Sequence, residues 1–139
     1  MSDDANVDYT KKWWDYDDLK AGYIAPHFRW TEFRCNHCDF YERPPEQLLI
    51  WLENIRHHFG DTPMDISSGC RCETKNKMAG GKPNSYHLKG MAADFYMHGV
   101  SANDVYDYAN KLINSQGGVG WYHSFTHIDT RGYKARWAG

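Results

Sequence analysis

The stretch Ser85-Tyr86-His87-Leu88-Lys89-Gly90-Met91-Ala92-Ala93-Asp94 holds an imidazole and a carboxylate seven residues apart, with a glycine between them that permits a sharp change of backbone direction. A loop running into a strand is the natural reading. Further along, Thr126-His127-Ile128-Asp129 sets a second imidazole two residues before a carboxylate, and on an extended chain both face the same way because side chains alternate with period two. Two imidazoles and a carboxylate brought together suit zinc, whose catalytic sites commonly take three such ligands and leave a fourth position for a water of pKa about 7. Spacing alone leaves the alternative open, since a buried histidine satisfied by hydrogen bonds is commoner than a ligand.

The surrounding pattern must supply the elements that hold these groups. Pro44 and Pro45 open a segment in which Leu48, Leu52, Ile55 and Phe59 recur at helical spacing and Gly60 stops it, which predicts an amphipathic helix. His57 and His58 at its end are given no chemical role. Residues 64–68 (MDISS) alternate as a short strand does, and the glycines and asparagines from Gly69 to Asn84 predict a long loop, with positive φ expected at Gly80 and Gly81. Asn76 is expected to shape that loop through side-chain to backbone bonds.

Met91 to Tyr96 reads as a second strand. Ser101 with Asp104 forms a capping-box pattern ahead of Val105, Tyr108, Leu112 and Ile113, a second amphipathic helix that Gly117 and Gly118 end. Val119 to Thr130 alternates as one or two further strands. The sum is an α+β fold: a small antiparallel sheet packed with two main helices. Residues 1–25 read as an irregular arm, rich in Trp13, Trp14 and Tyr16, packed on a domain of residues 26–139.

Composition bounds the partners. The chain has 139 residues, 41% hydrophobic and 16% aromatic, which fits one globular core that needs no disulfide staples. Its net charge of −2 offers no basic excess for nucleic acid or anionic lipid, and no apolar run is long enough to span a membrane. The first residues are polar and acidic, so no secretory signal is expected, and the protein is expected to be made in the cytoplasm and to act as a monomer.

The ordered run Ser-x-His-x-x-Gly-x-Ala-x-Asp, followed by His-x-Asp and preceded by Ser68-Gly69-Cys70-Arg71, resembles the zinc D-alanyl-D-alanine carboxypeptidase family, whose fold is shared with the hedgehog signalling domain. The resemblance covers about Phe28 to Trp137. It implies a hydrolase, a metallopeptidase acting on peptidoglycan stem peptides or cross-links as carboxypeptidase or endopeptidase, and phage endolysins occur in this family. It implies that His87, Asp94 and His127 bind one catalytic Zn2+, that Arg71 binds the substrate carboxylate or the developing oxyanion, and that Ser85 binds substrate or fixes the His87 loop.

Family members carry a Glu, Asp or His two or three residues before the last ligand. Phe125 and Ser124 stand there, so the general base is assigned to Asp129, with His123 as the second choice. A cell-wall enzyme without a leader acts after release or lysis. The alternative reading is a non-catalytic, zinc-containing cell-wall or protein binding module of the same fold.

Four cysteines form two close pairs, Cys35 with Cys38 and Cys70 with Cys72. Four thiolates around a structural metal, disulfides, or buried unligated thiols all remain open, and the reduced cytoplasm favours metal over disulfide.

Overall fold

The computed structural model describes residues 7–139; residues 1–6, the start of the expected arm, lie outside the described residues. In chain order the elements are β1 (Tyr23–Ala25), β2 (Phe28–Arg29), α1 (Glu46–His58), β3 (Met64–Ser68), α2 (Glu73–Met78), β4 (Ala92–Met97), α3 (Ala102–Ile113), β5 (Gly118–Trp121), β6 (Thr126–Asp129) and β7 (Ala135–Ala138). β1 and β2 form a small antiparallel hairpin, and the other five strands form one sheet in the order β3-β4-β6-β5-β7. The two long helices lie against that sheet, the α+β architecture expected from the pattern. No helix among the described residues is long and apolar enough to cross a membrane.

Proline fixes the entry of α1, with Pro45 at its N-cap and φ −55°. The helix is more than amphipathic, because every residue from Leu48 to Ile55 is buried, Glu53 and Asn54 included. The N-terminal arm covers its outer side. Asn54 donates to the Tyr9 carbonyl at 2.8 Å and accepts from the Tyr108 hydroxyl, while Glu53 accepts from the His27 backbone at 2.8 Å and meets its ring nitrogen at 2.7 Å. Trp14, Ile24 and Ala25 join the same core as Leu48, Leu52, Phe95 and Ile128, so the arm and the rest of the chain share one interior. Tyr16 stays exposed. His57 stacks on Tyr9 and His58 on Tyr108, with ring centroids 3.7 and 3.6 Å apart, a packing role for both.

α3 starts where the sequence places it, with Ser101 Oγ accepting from the Asp104 backbone at 3.1 Å. Besides β1, a strand where the irregular arm was expected, and its partner β2, two further elements depart from expectation. The stretch from Gly69 to Asn84 contains the short helix α2, whose residues carry no apolar period and of which only Asn76 is buried. β7 adds to β5 in parallel, beside four strands that pair antiparallel as anticipated. Its four residues give too short an alternation to read.

Candidate metal centre and substrate cavity

β4 and β6 pair so that Asp94 stands directly opposite His127, and residues so paired project to one face of the sheet with Cβ atoms roughly 5 Å apart. His87 reaches the same point from a 3-10 turn, Tyr86–Lys89, that ends at Gly90 with φ 70°, a conformation glycine adopts without strain. Ser85 caps that turn, its hydroxyl accepting from the His87 backbone at 3.2 Å. The two parts of the motif therefore meet because a strand register fixes one half and a capped turn fixes the other.

The ligand atoms converge. A ring nitrogen from each of His87 and His127 and a carboxylate oxygen of Asp94 lie within 4.8 Å of one another. His87 Nε2 is 3.1 Å and His127 Nδ1 is 2.8 Å from the same oxygen, Asp94 Oδ1. The opposite nitrogens are spoken for. His87 Nδ1 donates to the Gly69 carbonyl at 2.7 Å, and His127 Nε2 donates to Asp129 Oδ2 at 2.8 Å. These bonds fix each tautomer so that the free lone pair points at Asp94, the arrangement in which outer partners orient metal-ligating histidines.

Two imidazole lone pairs facing a carboxylate need a cation between them, either a proton or a metal. His87, Asp94 and His127 are only 2, 5 and 8% exposed, so little water reaches in to do that task. Burial alone would lower the His127 pKa, but its hydrogen bonds to Asp129 and Asp94 outweigh burial and raise it. Burial likewise pushes Asp94 up, and the bonds from His127 and His87 reverse this and hold it well below the usual carboxylate range. A borderline-soft divalent ion with N, N, O donors fits this set.

Arg71 lies at the rim of the triad. Its Nη2 donates to Asp94 Oδ2 at 3.0 Å, its Nε to Ser68 Oγ at 3.0 Å and its Nη1 to Asn76 Oδ1 at 3.3 Å. Three of a guanidinium's five N–H groups are thus used and one on each terminal nitrogen remains. Asn76, buried, also donates to the Lys82 carbonyl at 2.7 Å, the loop-shaping role expected of it. Gly80 takes the positive φ expected there, at 74°, but Gly81 does not: it is glycine for room, since a Cβ would sit 2.1 Å from Asn76 Oδ1.

Neither of the two residues chosen from sequence as general base lines the cavity that holds the triad. Asp129 is fully buried and accepts from the Gly118 and Arg131 backbones, from Nε and Nη2 of Arg131, and from His127 Nε2, at 2.8–3.2 Å. Burial raises its pKa, and the Arg131 and His127 bonds overcome this and hold it low. Its five donors fill its lone pairs, and its bond to His127 fixes that ring's orientation. His123 is exposed in the β5–β6 turn, outside the cavity lining, because the chain between Trp121 and Thr126 turns instead of continuing as a strand.

A cavity of about 720 Å³ takes in the triad, its lining including Arg71, Lys82, Ser85, His87, Asp94 and His127. Aromatic residues make up much of the rest of its wall, chiefly Tyr86, Tyr122, Phe125, Tyr133 and Trp137. The sequence reading passed over most of that wall and over Arg131. Arg131 was legible: it follows Asp129 by two, so the same alternation that paired His127 with Asp129 carries it to that face. The aromatic wall was not, since it rests on β7 and on Trp137 filling the space beside Gly120, where a Cβ would lie 2.5 Å from the indole.

A family model described as Peptidase M15 matches residues 26–129. The chain belongs to the peptidase M15 family. That family comprises zinc metallopeptidases, which agrees with the donor set described above. Among curated proteins, the chain is 37% identical over 95 residues to the probable peptidoglycan L,D-endopeptidase MepK of Haemophilus influenzae, covering 62% of this chain and 50% of the relative. It is 37% identical over 75 residues to MepK of Escherichia coli K12, covering 49% and 40%. It is 33% identical over 87 residues to the zinc D-Ala-D-Ala carboxypeptidase of Streptomyces albus G, covering 62% and 30%. The chain therefore spans half or less of the length of these relatives.

Proposed function

We propose that this chain is a zinc-dependent peptidase that hydrolyses bonds within peptidoglycan stem peptides or their cross-links. The observation that carries the reading is the convergence of His87, Asp94 and His127 at the floor of a cavity that Arg71 also lines. The relatives named peptidoglycan endopeptidases and a D-Ala-D-Ala carboxypeptidase support the substrate class. Every group named lies on one chain, so the reading needs no second subunit.

Zinc held by the triad would polarise the scissile carbonyl and supply a water acidic enough to attack near neutral pH. The protein's own groups do the rest. The two unspent N–H groups of Arg71 are available to a substrate oxygen, and fixed donors aimed at developing negative charge are the most effective catalytic contribution of this kind. The cavity volume lies within the usual range of ligand pockets, large enough to take the peptide around a scissile bond.

Because Asp129 is buried behind His127 and His123 lies outside the cavity lining, we assign proton handling to the cavity hydroxyls. Tyr86 Oη and Tyr133 Oη stand 3.3 Å apart on the cavity wall. Their mutual bond lowers the Tyr133 pKa, helped by Arg131, and raises that of Tyr86. Tyr86→Phe and Tyr133→Phe are each expected to lower kcat about 100-fold while leaving zinc content unchanged, a typical loss for a proton-transfer group. Unchanged kcat in both removes the hydroxyl pair from the mechanism.

A second reading rests on one observation: among the described residues, Asp94 is the only carboxylate lining the cavity. A zinc-containing binding module would need no other. Mass spectrometry of cross-linked and monomeric peptidoglycan fragments after incubation separates the readings. Cleavage inside the peptide supports the endopeptidase, loss of only a terminal D-Ala supports a carboxypeptidase, and intact fragments retained by zinc-loaded protein support the binding module.

A further inference from the structure

A second group of metal-type ligands lies away from the cavity. Cys35, Cys38 and Cys72 bring their sulfurs within 4.8 Å of one another, although the first two lie on the loop before α1 and the third at the start of α2. We propose that these three thiolates, with the His37 imidazole, hold a structural zinc ion.

The distances argue for a shared ion over a disulfide. Two sulfurs at 2.3 Å from one tetrahedral zinc stand about 3.8 Å apart, and a sulfur and an imidazole nitrogen about 3.6 Å apart. Cys35 Sγ and Cys72 Sγ are 3.7 Å apart, and His37 Nδ1 is 3.5 Å from Cys72 Sγ. A disulfide would require about 2.05 Å between the sulfurs and would use only two of the three thiols.

The backbone around the sulfurs is arranged for anions. Cys35 Sγ accepts from the His37 and Cys72 amides at 3.4 Å, Cys38 Sγ from Phe40 at 3.5 Å, and Cys72 Sγ from Lys75 at 3.4 Å. Every one of the three sulfurs is therefore an acceptor of backbone N–H, which suits a thiolate, the form that binds metal. The loop closes on itself through the Cys35 amide and the Phe40 carbonyl at 2.8 Å.

Cys70 behaves differently and corrects the four-cysteine expectation. Its Sγ donates to the Glu42 carbonyl and accepts from the Glu42 amide, both at 3.2 Å, and burial raises its pKa. It is a buried neutral thiol; the His37 ring, 3.5 Å from Cys72 Sγ, is the donor that would move in as fourth ligand beside the three clustered sulfurs. The ion would tie the 35–40 loop to the first turn of α2, immediately beside Arg71.

The test is metal content of the full chain purified under reducing conditions. Wild type is expected to hold two zinc ions, His87→Ala one, and Cys38→Ser one; Cys38 is exposed, so its replacement spares the core. Cobalt-substituted His87→Ala should show intense sulfur-to-cobalt charge transfer, and His37→Ala should weaken chelator-competed affinity by at least the ~10-fold that loss of even an outer partner costs. A single ion that survives Cys38→Ser and vanishes with His87→Ala overturns the proposal and leaves the cavity site intact. Absent charge transfer, or affinity unchanged in His37→Ala, overturns the thiolate set or the imidazole ligand respectively.

Discussion

With five donors on its carboxylate and no exposed surface, Asp129 acts on the site only through His127. Asp129→Asn should therefore weaken zinc binding at the triad about 10- to 100-fold, as loss of a ligand-orienting carboxylate does, and excess zinc should restore most of the hydrolysis. Competition against a chelator measures the first, and rates at saturating zinc the second. A variant with full affinity and little turnover would return Asp129 to the role of base. His123→Ala should change neither, since that side chain is exposed outside the cavity. Spacing alone left the trio His87, Asp94 and His127 open, and the resemblance of the ordered motif pointed to it. The division of labour between two neighbouring carboxylates was not legible, because it depends on the Arg131 and Gly118 donors that surround Asp129 and not on its distance along the chain from His127.

The elements place these residues with little tolerance. The β4–β6 register sets Asp94 against His127, and a shift of one residue would put the two on opposite faces of the sheet. Gly69 adds the other constraint: its carbonyl holds His87, and a Cβ there would meet the Phe33 Cα and carbonyl oxygen at 2.7 Å. Gly69→Ala must shift backbone on one side or the other. It is expected to reduce zinc affinity of the triad at least about 10-fold while the far-ultraviolet signature of the fold persists, and unchanged affinity would mean that His87 is held without the Gly69 carbonyl. β3, β4, α1 and α3 were legible because each carries an apolar period matched to its type. α2 and β7 were not: α2 buries only Asn76, and β7 is held by pairing with β5 that no local pattern announces.

At the scale of the whole molecule, the same buried charges couple the site to stability. Asp94 and Asp129 have folded pKa values held below their ordinary 3.8, so their contribution is present above about pH 4 and is lost as pH falls below it. His127 is raised above its ordinary 6.5, so its contribution in metal-free protein is complete below that value and is lost as pH rises through the higher folded one. Metal-free protein should then show its highest Tm between about pH 4 and 6.5 and a decline on either side. The zinc-bound protein should not decline on the alkaline side, because the metal takes the place of the proton. Equal alkaline declines with and without zinc, in thermal melts across pH, would refute this linkage.

The most direct test of the account is hydrolysis of peptidoglycan fragments as zinc is returned to metal-stripped protein, followed by mass spectrometry. Wild type is expected to regain cleavage in proportion to occupancy of the triad, and His87→Ala to remain inactive at every zinc concentration that saturates wild type. Cleavage by stripped protein at the full rate, or intact fragments beside zinc-saturated wild type, would contradict it.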